Sequence, residues 1–119
     1  MNVLLPLRTV SEANAHQHWR ARARRVKAQR AAARILIWAA RRGADSFSER
    51  LAQAGHAEIR LVRVAPRKLD SDNLAGAFKA IRDGVADALG VNDGDPRITW
   101  LYDQRRGRPR EYTVEVEIR

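Results

Sequence analysis

Acidic and lysine side chains are concentrated in one stretch of the sequence, between positions 68 and 95. Asp70 and Asp72 precede a segment with helical apolar periodicity, Lys79 lies within that segment, and Asp93 follows it. Mg²⁺ prefers oxygen ligands and is usually held by one or two carboxylates, while water and substrate phosphate complete its coordination shell. A nearby lysine supplies positive charge for the charge that develops on a phosphate during cleavage. These residue types therefore suit metal-assisted cleavage of a phosphodiester.

The spacing predicts an amphipathic helix from Asn73 to Leu89. At about 100° per residue its apolar side chains fall within one stripe roughly 120° wide. Lys79, Asp83 and Asp87 fall on the other side, away from the expected core, and Asp72 extrapolates to the same line. This pattern leaves two interpretations open. It is typical of a metal site, and equally of a solvated helix face with an i,i+4 ion pair and a capping aspartate.

Three short motifs follow one another in this stretch: Leu69-Asp70-Ser71-Asp72-Asn73-Leu74, then Lys79 with Asp83-Gly84, then Leu89-Gly90-Val91-Asn92-Asp93-Gly94-Asp95. Together they resemble the signature of the RusA family of crossover-junction endodeoxyribonucleases. The resemblance covers the second half of the chain well, and the segment from Pro6 to Asn14 more loosely. It implies a homodimer of bacterial or prophage origin that resolves four-way (Holliday) junctions in DNA recombination and repair, using Mg²⁺ or, as an alternative, Mn²⁺.

By this resemblance Asp70, Asp72 and Asp93 are the expected metal ligands and Lys79 the expected catalytic lysine. Two departures from the family pattern are visible. Lys79 stands seven residues after the second aspartate instead of four, which places it one helical turn further on. Asn92-Asp93 stands where a pair of aspartates is usual, so Asp95 is a candidate for the missing carboxylate. Whether Asp95 or Asp83 joins the site is left open.

Positive charge is concentrated between Ala13 and Ala44, which contains nine basic residues and no acidic one. The chain has 23 basic and 14 acidic residues, so the other 14 basic residues balance the 14 acidic ones, and this segment accounts for the net charge of +9. A cationic stripe indicates a polyanionic partner, because neutralising phosphates releases condensed counterions. We expect DNA contacts from this segment, from the residues before Asp70 and from an arginine-rich turn: Arg20, Arg22, Arg24, Arg25, Lys27, Arg67, Lys68, Arg105, Arg106 and Arg108.

The periodicities predict the order strand, helix, strand, helix, strand, strand. The basic segment forms a long helix with Trp19, Val26 and Ile37 on its apolar face, and a short helical turn follows between Gly43 and Gly55. The predicted strands are Val3 to Leu7, His56 to Ala65, which is apolar on both faces, and a hairpin formed by Ile98 to Gln104 and Tyr112 to Ile118 with arginines at its tip. This order favours a single α/β (α+β) domain over residues 1–119, with two main helices packed on a mixed sheet in two layers. The resemblance implies a RusA-like fold.

The composition excludes some classes of site. Without cysteine there is no disulfide scaffold and no thiolate zinc site. The polar loop with His16 and His18 is expected to contact phosphate or solvent. No apolar run reaches the length of a membrane span, so we expect no membrane partner and a soluble, unexported, cytoplasmic protein.

Two functions remain. The first is a Mg²⁺-dependent, structure-specific endodeoxyribonuclease that binds branched DNA. The second is a basic DNA- or RNA-binding protein without catalysis, in which the aspartates only cap and pair.

Overall fold

The computed structural model describes residues 1–10, 19–41 and 46–119. The predicted histidine loop, with Ser11, Asn14, His16 and His18, lies outside these residues. The described part has an α+β architecture of four strands and four helices. In chain order these are β1 (Asn2–Leu5), α1 (Trp19–Ala40), α2 (Phe47–Ala54), β2 (Ala57–Ala65), α3 (Ser71–Ala77), α4 (Lys79–Leu89), β3 (Ile98–Arg106) and β4 (Thr113–Ile118).

The four strands form one mixed sheet in the order β1-β4-β2-β3. β2 is antiparallel to β4 and parallel to β3, so the predicted hairpin of the last two strands is wrong. Alternation of apolar residues predicts that a segment is a strand but not which strand pairs with it, and here β2, buried along most of its length, lies between β3 and β4. The connection between β3 and β4 therefore passes the end of β2, where Gly107 N donates to Ala65 O at 2.8 Å.

The core lies between the sheet and the helices. Alternate strand residues such as Leu5, Leu61 and Val116 are fully buried against Ile37 and Ile81 of the helices. The mixed sheet with helices packed on it agrees with the coarse prediction from the order of elements. Among the described residues, no helix has the length and apolarity needed to cross a membrane.

α1 packs closely against α4 at Gly84. A Cβ at this position would lie 2.3 Å from the backbone oxygen of Arg30 and 2.8 Å from the Cβ of Ala33. α1 thus covers a side of α4 that the helical pattern assigned to solvent. Asp87, predicted to point away from the protein, accepts hydrogen bonds from Arg30 Nε at 2.7 Å and Nη2 at 2.9 Å.

The apolar face of α1 was predicted only in part. Ala33 and Ile37 are buried as expected, whereas Trp19, at the first turn of the helix, is 67% exposed. On the other side of α1, Ile35 is 59% exposed and Trp38 is 70% exposed. The buried residues of the helix thus lie in its second half, and several of its apolar side chains lie outside the core.

The predicted helix from Asn73 to Leu89 is divided into α3 and α4 at Phe78. The backbone N–H of Phe78 is shared between the carbonyl oxygens of Leu74 and Ala75, each at 3.2 Å, which marks a tighter turn. The Phe78 ring is fully buried and stacks on Tyr102 with centroids 5.5 Å apart. The helix is therefore not continuous from Asp72 to Asp87, and these charged side chains do not lie on one straight helix face as predicted.

Candidate functional site

One face of β3 holds both acidic segments in place. Trp100, Tyr102 and Gln104 alternate along the strand, so their side chains lie in one row. Trp100 Nε1 donates to the backbone oxygen of Asp93 at 2.9 Å, and Gln104 Nε2 donates to the backbone oxygen of Leu69 at 2.7 Å. The row therefore anchors the segment before α3 at one point and the segment after α4 at another.

The segment before α3 is fixed by side chains from two neighbouring strands. Leu69 N donates to Gln104 Oε1 at 2.9 Å, and Arg63 Nη1 donates to the backbone oxygen of Arg67 at 2.5 Å. Arg63 and Gln104 are paired in the register of β2 and β3. The backbone that leads to Asp70 is thus held although it lies in a loop.

Asp70 and Asp72 are both exposed on this fixed backbone. Asp70 stands at the N-cap of α3 and its backbone oxygen accepts from Leu74 N at 2.8 Å, but its side chain makes no capping hydrogen bond. Within residues 1–10, 19–41 and 46–119, neither carboxylate has a hydrogen bond or an ion pair. Two unpaired carboxylates two residues apart are therefore presented at the start of α3.

Lys79 lies beside Asp83 and Asp93. Its Nζ donates to Asp83 Oδ1 at 2.9 Å and is 3.7 Å from Asp93 Oδ2. The hydrogen bond to Asp83 raises the pKa of Lys79, while partial burial opposes that rise. The fold thus brings together the predicted pair Lys79 and Asp93, with Asp83 as a third member.

Arg82 is a central residue of this region that the sequence analysis missed. Its Nη2 donates to the backbone oxygen of Asp93 at 2.7 Å and its Nη1 to the hydroxyl of Tyr102 at 2.6 Å. The guanidinium carbon lies 4.8 Å from the ring centre of Trp100, and Nε is 3.3 Å from Asp93 Oδ2. Arg82 therefore joins α4, β3 and the loop of Asp93. The sequence feature that could have indicated this role is the pair Trp100 and Tyr102, two aromatic residues at alternate positions of β3.

Asp95 is engaged within its own turn. It accepts from the backbone N–H of Arg97 at 2.9 Å and from the guanidinium of the same residue at 2.8 Å. These hydrogen bonds lower the pKa of Asp95 to about 2. Asp95, the candidate for the missing carboxylate, is thus already hydrogen-bonded to Arg97.

The donor chemistry at the start of α3 fits Mg²⁺, which needs only one or two protein carboxylates. In the part of the chain that the structure describes, no group of three acidic or histidine side chains is arranged to hold a metal ion. The anchors of the two acidic segments, Trp100 and Gln104, are four residues apart, or about 13 Å along the strand. Asp70 and Asp72 are thus suitable ligands as a pair, whereas Asp93 is associated with Lys79 and Arg82.

Parallel pairing of β2 and β3 brings several predicted DNA-binding residues to the end of the sheet from which the loop of Asp70 starts. The register pairs Ala65 with Arg106, so the carboxyl ends of the two strands meet at one end of the sheet. The exposed residues at this end are Arg67, Lys68, Arg105, Arg106 and Arg108. Arg105 also pairs with Glu115. On α1, Arg20, Arg22, Arg24 and Lys27 are exposed, and Arg25 is half-buried.

An uncharacterized protein of Xylella fastidiosa (strain Temecula1 / ATCC 700964) is 37% identical over 82 residues, which are 67% of this chain and 51% of that protein. The chain thus spans about half the length of the relative. No family model matches the sequence, and no solved structure gives a significant match.

Proposed function

We propose that the protein is a Mg²⁺-dependent endodeoxyribonuclease that cleaves branched DNA, with the four-way junction as its substrate. The observation that carries the proposal is the combination at the end of the sheet. Two exposed carboxylates without a partner in the described residues, Asp70 and Asp72, follow Arg67 and Lys68 in the loop after β2, and Arg106 is paired with Ala65 at the end of the same strand. Carboxylates that bind a cation and cations that bind phosphate are the two requirements of metal-assisted phosphodiester cleavage.

In this proposal Asp70 and Asp72 would hold the metal ion, and the resemblance gives Asp93 as a third ligand. When bound, Mg²⁺ (or Mn²⁺) supplies Lewis-acid stabilisation of the phosphate and lowers the pKa of a coordinated water. Lys79 provides a positive charge near the scissile phosphate. Because Asp93 lies within ion-pair distance of both Lys79 and Arg82 and its segment is anchored on Trp100, its carboxylate would have to leave both cations and its loop would have to move toward Asp70 to reach the ion.

The resemblance to the RusA family supports the choice of substrate and the homodimer. The basic side of α1 and the arginines at the end of β3 would bind the phosphates of the DNA arms. The proposal therefore assigns separate tasks to the acidic residues at α3 and to the basic residues around them.

A basic nucleic-acid-binding protein without catalysis is the second candidate. It is favoured by the ion pairs of Asp93 and by the lack, among the described residues, of a three-carboxylate group. In that case Asp70 and Asp72 would not bind a metal ion, and the protein would not cleave DNA in the presence of Mg²⁺.

The substitution Asp72→Asn separates the two candidates. Cleavage of a synthetic four-way junction in Mg²⁺ is expected to fall at least about 100-fold. Binding of the junction in EDTA, measured by fluorescence anisotropy, stays equal or becomes tighter because a negative charge near phosphate is removed. A linear duplex serves as the substrate control.

Asp103→Asn is the matched protein control. Asp103 is another exposed aspartate, on β3, and its carboxylate is 3.9 Å from Arg60. This variant should cleave like the unchanged protein. Persistent cleavage by Asp72→Asn would refute the assigned site. Junction binding by the unchanged protein without cleavage in Mg²⁺ or Mn²⁺ would establish the second candidate instead.

A further inference from the structure

Arg63 is a buried cation without a carboxylate partner among residues 1–10, 19–41 and 46–119. It lies on β2 and is only 7% exposed. Its Nε donates to Thr9 Oγ1 at 2.7 Å and its Nη1 to the backbone oxygen of Arg67 at 2.5 Å, and both acceptors are neutral. Burial lowers the pKa of Arg63, and no carboxylate of the described residues pairs with it. Because an uncompensated buried charge is costly, an anion would stabilise this position.

A second arginine lies close to Arg63. Arg8 directly precedes Thr9, the acceptor of Arg63 Nε, and its guanidinium carbon lies 4.1 Å from the ring centre of Tyr112, the residue before Thr113, which pairs with Val64. The charge of Arg8 adds to burial in lowering the pKa of Arg63, and Tyr112 opposes this change. The backbone of Arg8 is held by α1, since Gln29 Nε2 donates to its carbonyl oxygen at 2.7 Å. Within the described ranges, Arg8 has no carboxylate partner either. Two guanidinium groups of like charge thus lie in one region with no carboxylate partner among the described residues.

We infer that Arg63 and Arg8 form a binding site for a phosphate group. The Nη2 of Arg63 donates no hydrogen bond to any described residue, and a guanidinium presents its N–H groups in a geometry that matches phosphate oxygens. Thr9 and the carbonyl of Arg67 fix the orientation of Arg63, so little side-chain entropy remains to be lost on binding.

The phosphate site would lie near the loop that presents Asp70. Arg63 holds the carbonyl of Arg67, three residues before Asp70, and so a phosphate on Arg63 would lie on the same loop that presents Asp70. The inference deepens the proposed function, because the assignment of this phosphate to the DNA backbone rests on it. The binding of free inorganic phosphate to Arg63 and Arg8 does not depend on the proposed function.

The test uses inorganic phosphate and the four-way junction as separate probes. Phosphate is expected to raise the midpoint of thermal unfolding relative to chloride at equal ionic strength, and Arg63→Gln and Arg8→Gln should each remove most of that rise. Each variant should also weaken junction binding about tenfold and flatten the dependence of log K on log salt by about 0.9, the effect of one lost phosphate contact.

Arg60→Gln is the control on the same strand. Arg60 is 3.8 Å from Glu117 and 3.9 Å from Asp103, so its charge already has partners. This variant should keep the phosphate response. Arg8 is exposed, and Arg8→Gln therefore decides the matter if Arg63→Gln does not fold.

The outcomes separate the inference from the proposed function. A phosphate response unchanged in Arg8→Gln and in a folded Arg63→Gln would overturn the inference, even if junction cleavage persists. A response lost in the variants, with unchanged junction affinity, supports a site for free phosphate and overturns its assignment to DNA. Absence of cleavage together with a variant-sensitive phosphate response overturns only the proposed function.

Discussion

α3 and α4 are consecutive helices with similar charged residues, yet their surroundings differ. Next to Gly76 on α3, no described atom beyond the adjacent residues and the backbone of the helix itself lies within 4 Å of the position that a Cβ would take, and Asp72 has no partner in the described chain. On α4, Gly84 touches the backbone of α1, and Asp87 is bound by Arg30. The exposure of a charged helix face thus depended on the position of α1, which the local pattern did not specify.

The same difference distinguishes the two acidic segments. Asp93, behind α4, has Lys79 and Arg82 within ion-pair distance, whereas Asp70 and Asp72 have no such neighbours among the described residues. A metal ion binds best where negative charge is not already neutralised. The start of α3 is therefore the part of the site where the negative charge is available.

The largest expected effect concerns the two glycines. Gly84→Ala should destabilise the protein by about 3 kcal/mol, because the new methyl would lie 2.3 Å from the backbone oxygen of Arg30 and would force α1 and α4 apart. Gly76→Ala should stabilise it by up to about 1 kcal/mol, since alanine has the higher helix propensity and meets no neighbour. Urea unfolding measures both. Equal effects of the two substitutions on stability would contradict the difference in packing between α3 and α4.

The next effect concerns Arg82. Arg82→Met should lower the free energy of unfolding by about 2 kcal/mol, because it removes the hydrogen bonds to the Tyr102 hydroxyl and to the backbone oxygen of Asp93, which then keeps only Trp100 Nε1 as a donor. Amide hydrogen exchange should accelerate in residues 91–97 and stay unchanged at Leu69, which Gln104 holds independently. Arg97→Gln, a change at an exposed arginine of the same loop, should alter stability less. Equal acceleration in both acidic segments would show that they are not anchored separately.

The smallest effect is pH-dependent. The hydrogen bond from Arg30 holds the pKa of Asp87 below its ordinary value of 3.8, so the contribution of this pair is complete above about pH 4 and is lost as the pH falls through the lowered value. Asp87→Asn should therefore reduce stability by less than about 1 kcal/mol at pH 7, because the pair is partly exposed. Thermal unfolding between pH 2 and 7 measures this difference, which should vanish at the acidic end.

Asp72→Asn is the matched variant on α3. Its stability should stay within about 0.5 kcal/mol of the unchanged protein at pH 7, as expected for an exposed side chain without partners. If Asp72→Asn lost as much stability as Asp87→Asn, the two carboxylates would have equivalent environments after all.

Much of the secondary structure was predictable because it follows from local periodicity. The predicted strand from His56 to Ala65 corresponds to β2, and the short helical turn after Gly43 corresponds to α2, with Phe47 and Leu51 buried. The break at Phe78 was not predictable from an apolar stripe that continues through it. Its ring packs on Tyr102, which is distant in sequence.

The candidate site was predictable in its residue types and only partly in its geometry. The proximity of Lys79 to Asp93 was expected from the resemblance, and the structure brings them within 3.7 Å. Arg82 was missed because its role depends on Trp100, Tyr102 and a backbone carbonyl. A pattern of charges along one helix contains none of these partners.

The sequence by itself determined which side chains are available and where helices and strands form, because both follow from the chemistry and spacing of neighbouring residues. The tertiary structure decided the order of strands, the exposed side of each helix and the partner of each carboxylate. The reason is that these features arise from contacts between distant segments. Arg30 and Asp87 are 57 residues apart, and Leu69 and Gln104 are 35 apart. Such contacts leave no trace in local periodicity, and they leave Asp70 and Asp72 available while Asp87 is paired.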